Sequence, residues 1–363
     1  MGLSCGIVGL PNVGKTTIFN AMTGAGAERA SYAFSTVEPN LAEVDVPDDR
    51  LDVIRRFIET KKIVHARMRV VDIAGLAEGA SRGEGMGNKF LGHVKETDAL
   101  MQVVQCFESS TVSREQPVDP AADMDVLELE LALADFETVS RNAKRVAKKA
   151  RTGDKEAEFE LDVFQRAKVL LEDGIQLRAT EWKPAESEAL RPLFLLTLKP
   201  VLYVANVSDD DASGASELAQ TVARRAAEHG AEWIPMSGDI ECELAGMEGE
   251  ERAMFMEEFG LAELALPRLL RSTYDVLGLQ TYFTAGPIEI KAWTIRRGDT
   301  APKAAGVIHT DFEKGFIRAE VYAVDDLVEH ESEVAIRAAG KLRVEGRNYV
   351  MKEGDVTHFL FSK

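Results

Sequence analysis

The chain has 363 residues, 45% hydrophobic and 29% charged, which is room for two or three soluble domains with substantial cores. A formal charge of −18 excludes indiscriminate nucleic-acid binding, so any RNA contact has to come from a local basic patch, and no DNA specificity is expected. Three scattered cysteines (Cys5, Cys106, Cys242) fit a reducing compartment and no metal motif; with no secretory pattern and no unbroken apolar span, a cytoplasmic protein without a membrane partner is expected.

In chain order, the apolar run Cys5–Val8 predicts a strand and Thr17–Met22 a helix. Between them Gly9-Leu-Pro-Asn-Val-Gly14-Lys15-Thr16 matches the phosphate-binding pattern G-x-x-x-x-G-K-[ST] in the strand–loop–helix context it requires. Such a loop wraps a β-phosphate in backbone N–H groups at a helix N-terminus. The expected phosphate ligands are Asn12, Val13, Gly14, Lys15, Thr16 and Thr17. Lys15 reaches the β- and γ-phosphates, and the Thr16 hydroxyl holds Mg²⁺. Phe34-Ser-Thr36-Val-Glu-Pro39-Asn40 reads as a first switch, with Thr36 completing Mg²⁺ coordination. The predicted strand Ala66–Ile73 leads into Asp72-Ile-Ala-Gly75, a D-x-x-G pattern whose carboxylate serves the metal and whose Gly75 N–H meets the γ-phosphate. Gly79, Gly83, Gly85 and Gly87 follow, as a second switch requires. Ras-like enzymes orient water with a Gln where this chain has Leu76, which cannot do so.

Ala99–Phe107 and Pro200–Val207 are the next predicted strands of a buried parallel sheet. Between them, helical stretches Met124–Arg151 and Lys155–Arg178 flank the turn Thr152-Gly153-Asp154, an antiparallel hairpin inserted into the sheet domain. Arg141, Lys144, Arg145, Lys148, Lys149 and Arg151 fall on one arc of its first helix, opposite Ala143, Val146, Ala147 and Ala150. That arc is either an RNA-contacting surface or a solvated face. Asn206-Val207-Ser-Asp209 occupies the place of the guanine-reading N-K-x-D with the Lys lost, and Met236-Ser237-Gly238 that of S-A-[KL]. Asn206, Val207, Met236 and Ser237 are therefore expected around the base. After the helix Glu217–His229 and the strand Ala231–Met236, a helical region leads to about Leu279. The tail then changes to short strands: Ile288–Ile295, Phe316–Tyr322 and Asp355–Phe361. His309 and Asp311 there read as structural hydrogen bonding rather than as a catalytic pair.

With these motifs in place, the chain resembles the YchF family, the Obg-like ATPases of the translation-factor class of P-loop proteins. The resemblance covers essentially the whole length and is most specific at Gly6–Asn20, Phe34–Asn40, Val71–Phe90, Leu196–Val207, Gln280–Thr294 and His309–Ala319. It implies an α/β P-loop G domain with a mostly parallel sheet (1–122 and 192–279), an inserted α-helical hairpin (123–191) and a C-terminal TGS-like β-grasp domain (280–363). It also implies ATP as substrate in preference to GTP, slow hydrolysis, and a ribosome partner, the 70S particle or its large subunit. Two departures stand out. Asp209 replaces the family's Glu, and no histidine occurs between His93 and His229 to match one proposed for catalysis in some relatives. Catalysis is thus expected from Lys15, Asp72 and Gly75, with the water-activating group open. A GTPase of the Obg class, favoured by Asp209, and a nucleotide-sensing module with incidental hydrolysis, favoured by Leu76, are the rivals. Two switch segments and no second-substrate pattern weigh against a small-molecule kinase.

Overall fold

The computed structural model describes residues 3–24, 28–29, 40–73, 86–108, 117–244, 247, 249–259, 261 and 263–362. Its strands are β1 (Ser4–Val8), β2 (Glu28–Arg29), β3 (Asn40–Val46), β4 (Ile63–Val64), β5 (Ala66–Asp72), β6 (Ala99–Cys106), β7 (Val201–Val207) and β8 (Glu232–Met236). There follow β9 (Leu279–Ala285), β10 (Ile290–Arg296), β11 (Phe316–Ala323), β12 (Arg343–Glu345) and β13 (Asp355–Phe361). Contacts divide the chain into two units, Met1–Glu43 with Arg69–Leu269, and Val44–Met68 with Leu270–Lys363.

The first unit is built on a sheet of order β2-β3-β5-β1-β6-β7-β8. β1 pairs in parallel with β5 and β6, and β7 in parallel with β6 and β8; β2 and β3 are antiparallel. The chain leaves β1 toward β3 and β5 on one side and returns to β6 on the other. The carboxyl end of β1 is thus the switch point where doubly wound sheets bind ligands. Every residue of β6 and β7 is buried, as central parallel strands covered on both faces must be.

The hairpin stands on this sheet through one helix, Pro120–Ala150, whose 31 residues span about 46 Å at 1.5 Å each. Asp119 caps its start, accepting from Ala121 N and Ala122 N, with Pro120 at the first helical position. Met124, Leu127 and Leu131 pack with Tyr203, Ala205 and Val207 of β7 in the sheet's core. Further along, Val139 and Val146 join Phe164, Ala167 and Leu171 in a second apolar cluster. One helix therefore belongs to two cores. The turn is made by Gly153 (φ 81), after which Asp154 caps the helix Lys155–Glu172. That helix ends six residues before the expected Arg178: Gly174 takes a left-handed φ of 76 and Ile175 N bonds back to Leu170 O at 2.8 Å. Arg178 lies instead in a short 3₁₀ turn, Leu177–Ala179.

The second unit has a sheet of order β12-β11-β13-β9-β10-β4. β9 and β10 form an antiparallel hairpin, and β13 lies parallel to β9 in the middle of the sheet. The helix Ala301–Ile308 packs Ala301, Ala304 and Ala305 against this sheet's core, giving the expected β-grasp arrangement. The sequence-based division differs at Val44–Met68 and at residues 270–279, both assigned there to the G domain. Ile63 and Val64 extend the second sheet by pairing with Ile290 and Lys291, and the helix Arg50–Phe57 belongs with them.

Candidate nucleotide site

The loop Gly9–Gly14 connects β1 to the helix Lys15–Gly24. Gly14 has a φ of 94, and a Cβ there would collide with the Asn206 amide, so only glycine fits. Asn12 also adopts a positive φ of 62, which asparagine tolerates better than most residues. Lys15 is buried, and its ammonium donates to Leu10 O at 2.6 Å, across the loop. Burial pushes its pKa down to about 8, against the opposing pull of the Asp72 carboxylate.

Asp72 ends β5 and is 8% exposed. Thr16 donates its hydroxyl to Asp72 Oδ2 at 3.2 Å. Burial raises the Asp72 carboxyl above its ordinary range, while hydrogen bonds from Thr16 and Asn40 and the charge of Lys15 pull it back. Lys15 and Thr16, at the start of the helix after β1, are thus brought against Asp72 at the end of β5, 56 residues from Thr16. A hydroxyl and a carboxylate oxygen side by side are hard donors of the kind Mg²⁺ takes, so these residues fit that ion. Thr36, Gly75 and Leu76 lie outside the described residues.

On the base side, Asn206, the last residue but one of β7, faces the loop with both ends of its amide in use. Nδ2 donates to Val13 O at 2.9 Å and Oδ1 accepts from Gly238 N at 3.1 Å. Asn206 therefore clamps the phosphate loop to the turn after β8. Val207, its neighbour, points to the opposite face by the alternation of a strand, into the core with Leu127 and Leu131. Its side chain does not reach the site, and only its backbone remains for the role expected of it. Met236 is buried and sits opposite Asn206 across the β7–β8 pair. Ser237 donates to Asp209 Oδ1 at 2.5 Å and accepts from Ile240 N at 3.2 Å. Sequence reasoning missed the role of Asn40 at Asp72, and also Cys242, whose thiol donates to Thr17 O at 3.3 Å. Neither carries a local sequence signal, because each acts on a residue far away in the chain.

The resemblance of this site to known proteins is extensive. A family model described as 50S ribosome-binding GTPase matches residues 4–147, and the model YchF-GTPase_C, described as a protein of unknown function, matches residues 279–362. The chain is 48% identical to the "Ribosome-binding ATPase YchF" of Escherichia coli O157:H7 and 46% to that of Bacillus subtilis, covering all of both chains in each case. It is 40% identical to "Obg-like ATPase 1" of Gallus gallus over 99% of this chain and 92% of that one. Among solved structures, the Schizosaccharomyces pombe YchF GTPase aligns with a TM-score of 0.88 at 37% identity, over 99% of this chain and 98% of that one. Identity sustained from the phosphate loop through the hairpin to the β-grasp unit leaves one assignment: the chain belongs to the YchF family.

Proposed function

We propose that this protein is a cytoplasmic, ribosome-associated NTPase that hydrolyses ATP to ADP and phosphate, prefers ATP to GTP, and acts as a nucleotide-dependent switch. The carrying observation is the convergence of Lys15, Thr16 and Asp72 beside a phosphate loop that Asn206 holds in place. The relatives' names, ribosome-binding ATPases, support both the substrate and the partner.

In this reading the backbone of Asn12–Thr17 and the Lys15 ammonium hold the β- and γ-phosphates. Thr16 and Thr36 ligate Mg²⁺, Asp72 supports it, and Gly75 N–H contacts the γ-phosphate. The ion offsets phosphate charge during in-line attack by water, a reaction that depends on positioning and charge stabilisation. Met236 and Ser237 border the base, and Asn206 acts on it through the loops it clamps. Loss of the N-K-x-D lysine, with the Val207 side chain turned into the core, removes one wall of a guanine site and favours ATP. One observation favours GTP: the 2.5 Å bond from Ser237 holds Asp209 by one oxygen, and among the described residues no hydrogen bond is made to the other.

Competition of Mg-ATP and Mg-GTP against a fluorescent nucleotide separates the two. A preference of tenfold or more for ATP, about 1.4 kcal/mol, is expected; equal affinity or a GTP preference reassigns the chain as a GTPase. Lys15→Ala should weaken Mg-ATP binding by about a hundredfold or more, roughly 2.7 kcal/mol. Undiminished binding and turnover in that variant would remove the site assignment.

The ribosome partner, the 70S particle or its large subunit, is met in this proposal by the basic arc of the hairpin. Arg141, Lys144, Arg145, Lys148, Lys149 and Arg151 are all exposed, and none forms an ion pair among the described residues. The TGS-like unit is a weaker candidate, since Arg297 pairs with Asp275, Lys303 with Asp299, and Lys291 lies over the Trp293 ring. His309 there caps a short helix, accepting from Asp311 N at 3.2 Å.

A further inference from the structure

On the face of β7 away from Asn206, several chain segments meet at one buried hydroxyl. Tyr203 is fully buried, and its Oη lies 3.0 Å from Glu128 Oε1 on the helix Pro120–Ala150 and 2.7 Å from His229 Nδ1. His229 caps the C-terminal end of the helix Glu217–Glu228, and its Nδ1 is 3.3 Å from the same Glu128 oxygen. A phenol has one proton to give. All three distances are satisfied when His229 donates from Nδ1 to Tyr203 and Tyr203 donates to Glu128. Burial, with Arg178 and Arg225 nearby, lowers the His229 pKa, and the donation needs only a proton on Nδ1, which the neutral Nδ1–H tautomer supplies. Gln176 fixes the same turn, donating to Glu128 O at 3.2 Å.

Seven residues further along that helix, on the same stripe, is a second grip. Asp135 has no exposed surface and accepts from Leu196 N at 2.9 Å, Thr197 N at 2.7 Å and Thr197 Oγ1 at 2.6 Å. The hairpin helix thus holds both β7 and the segment leading into it. Arg178 completes the first cluster, hydrogen-bonding Tyr203 and placing its charge beside Glu128, so the Tyr203–Glu128 pair is part of a buried polar network at the edge of the apolar core. A buried hydroxyl–carboxylate pair here fixes the register between helix and strand. From Tyr203 the strand rises about 10 Å over three residues to Asn206. Asn206 in turn holds Val13 and Gly238.

We propose that Tyr203 is a positioning residue that couples the nucleotide site to the hairpin, by joining the strand that carries Asn206 to the helix that carries the basic arc. Nucleotide seated on the phosphate loop fixes Asn206, and with it β7. The Tyr203–Glu128 bond passes that constraint to the helix. The coupling is reciprocal, so whatever immobilises the hairpin changes nucleotide affinity by the same factor. The inference rests on the reading of Gly9–Thr17 as the Mg-ATP site.

Amide hydrogen exchange of the full chain, with and without saturating Mg-ATP, tests it in the native protein, Tyr203→Phe and Glu128→Gln. In the native protein ATP should slow exchange in the phosphate loop, at Leu195–Thr197 and over Met124–Asp135. In Tyr203→Phe the ATP-dependent part of the effect on Met124–Asp135 should fall at least threefold, with loop protection retained. Glu128→Gln, which still accepts the phenol proton, should keep most of it. A purely structural hydroxyl would change exchange equally with and without ATP, and that result overturns the proposal. So does full ATP-dependent protection in Tyr203→Phe, or none over Met124–Asp135 in the native protein while the loop is protected. If ATP protects nothing, the site assignment fails and the coupling with it.

Discussion

Lys15 is subject to two opposed demands. Burial favours the neutral amine, and burial is what the loop fold imposes; a polyphosphate needs the ammonium. With its pKa lowered to about 8, Lys15 is cationic and ready below that pH, so Mg-ATP affinity should be flat there. Above it the free protein loses the proton, and binding must recover it. Affinity should then fall by up to about tenfold per pH unit, until the pKa in the complex is reached. The effect on folding has the opposite sign. Between about 8 and the unfolded value of 10.5 the unfolded chain binds more protons at this residue, so the contribution of Lys15 to stability rises with pH. Nucleotide competition and urea midpoints measured from pH 7 to 9.5 should therefore move in opposite directions, after subtraction of the Lys15→Ala profile for stability. An affinity that stays level to pH 9.5 would rule out a lysine poised in this way.

At the scale of elements, the hairpin helix shows how a single carboxylate can fix a chain path. Asp135 takes three donors from Leu196 and Thr197 in a site with no water access. Asp135→Ala strands those donors in the interior, at a cost on the order of 3 kcal/mol or more, given about 1–3 kcal/mol for each of the three. Urea unfolding should show that loss; a change under 1 kcal/mol would mean the segment is held by packing alone. Asp135 gave no sign in the sequence, where it is one acid among many on an amphipathic helix. Ala99–Cys106 and Val201–Val207 were legible because central parallel strands are apolar throughout. The turn at Thr152–Asp154 was legible because Gly153 and the Asp154 cap are local devices. Helix ends were not: Gly174 stopped the second helix where the apolar pattern continued. β4 went unread because it owes its pairing to Ile290 and Lys291, far along the chain. The site divides the same way. The phosphate loop and Asp72 follow from spacing, while the Asn206 clamp and the Tyr203–Glu128 bond depend on the fold.

For the whole molecule, sign and place of charge have to be considered together. A net charge of −18 repels a polyanion at long range, yet six exposed cations, unpaired among the described residues, lie within Arg141–Arg151, roughly 16 Å of chain at 1.5 Å per residue. At physiological ionic strength the screening length is about 8 Å, so a partner at the hairpin is governed by this arc and hardly by distant acids. Contact with RNA phosphates through the arc would release counterions, and association would weaken steeply with salt. Replacing Lys144 and Lys148 together by Ala should weaken ribosome co-sedimentation and make the slope of log affinity against log salt shallower by about 2, near 1 for each lysine. Mg-ATP affinity should hold, because this stretch of the helix packs through Ala143, Val146 and Ala150 in the hairpin's own cluster and not in the core of the sheet. If the slope is unchanged, the arc is a solvated face and the ribosome is met elsewhere on the molecule. If the slope becomes shallower and binding also stays weaker at high salt, where the counterion contribution is small, the lysines contribute more than charge, and the arc is part of a shape-specific contact.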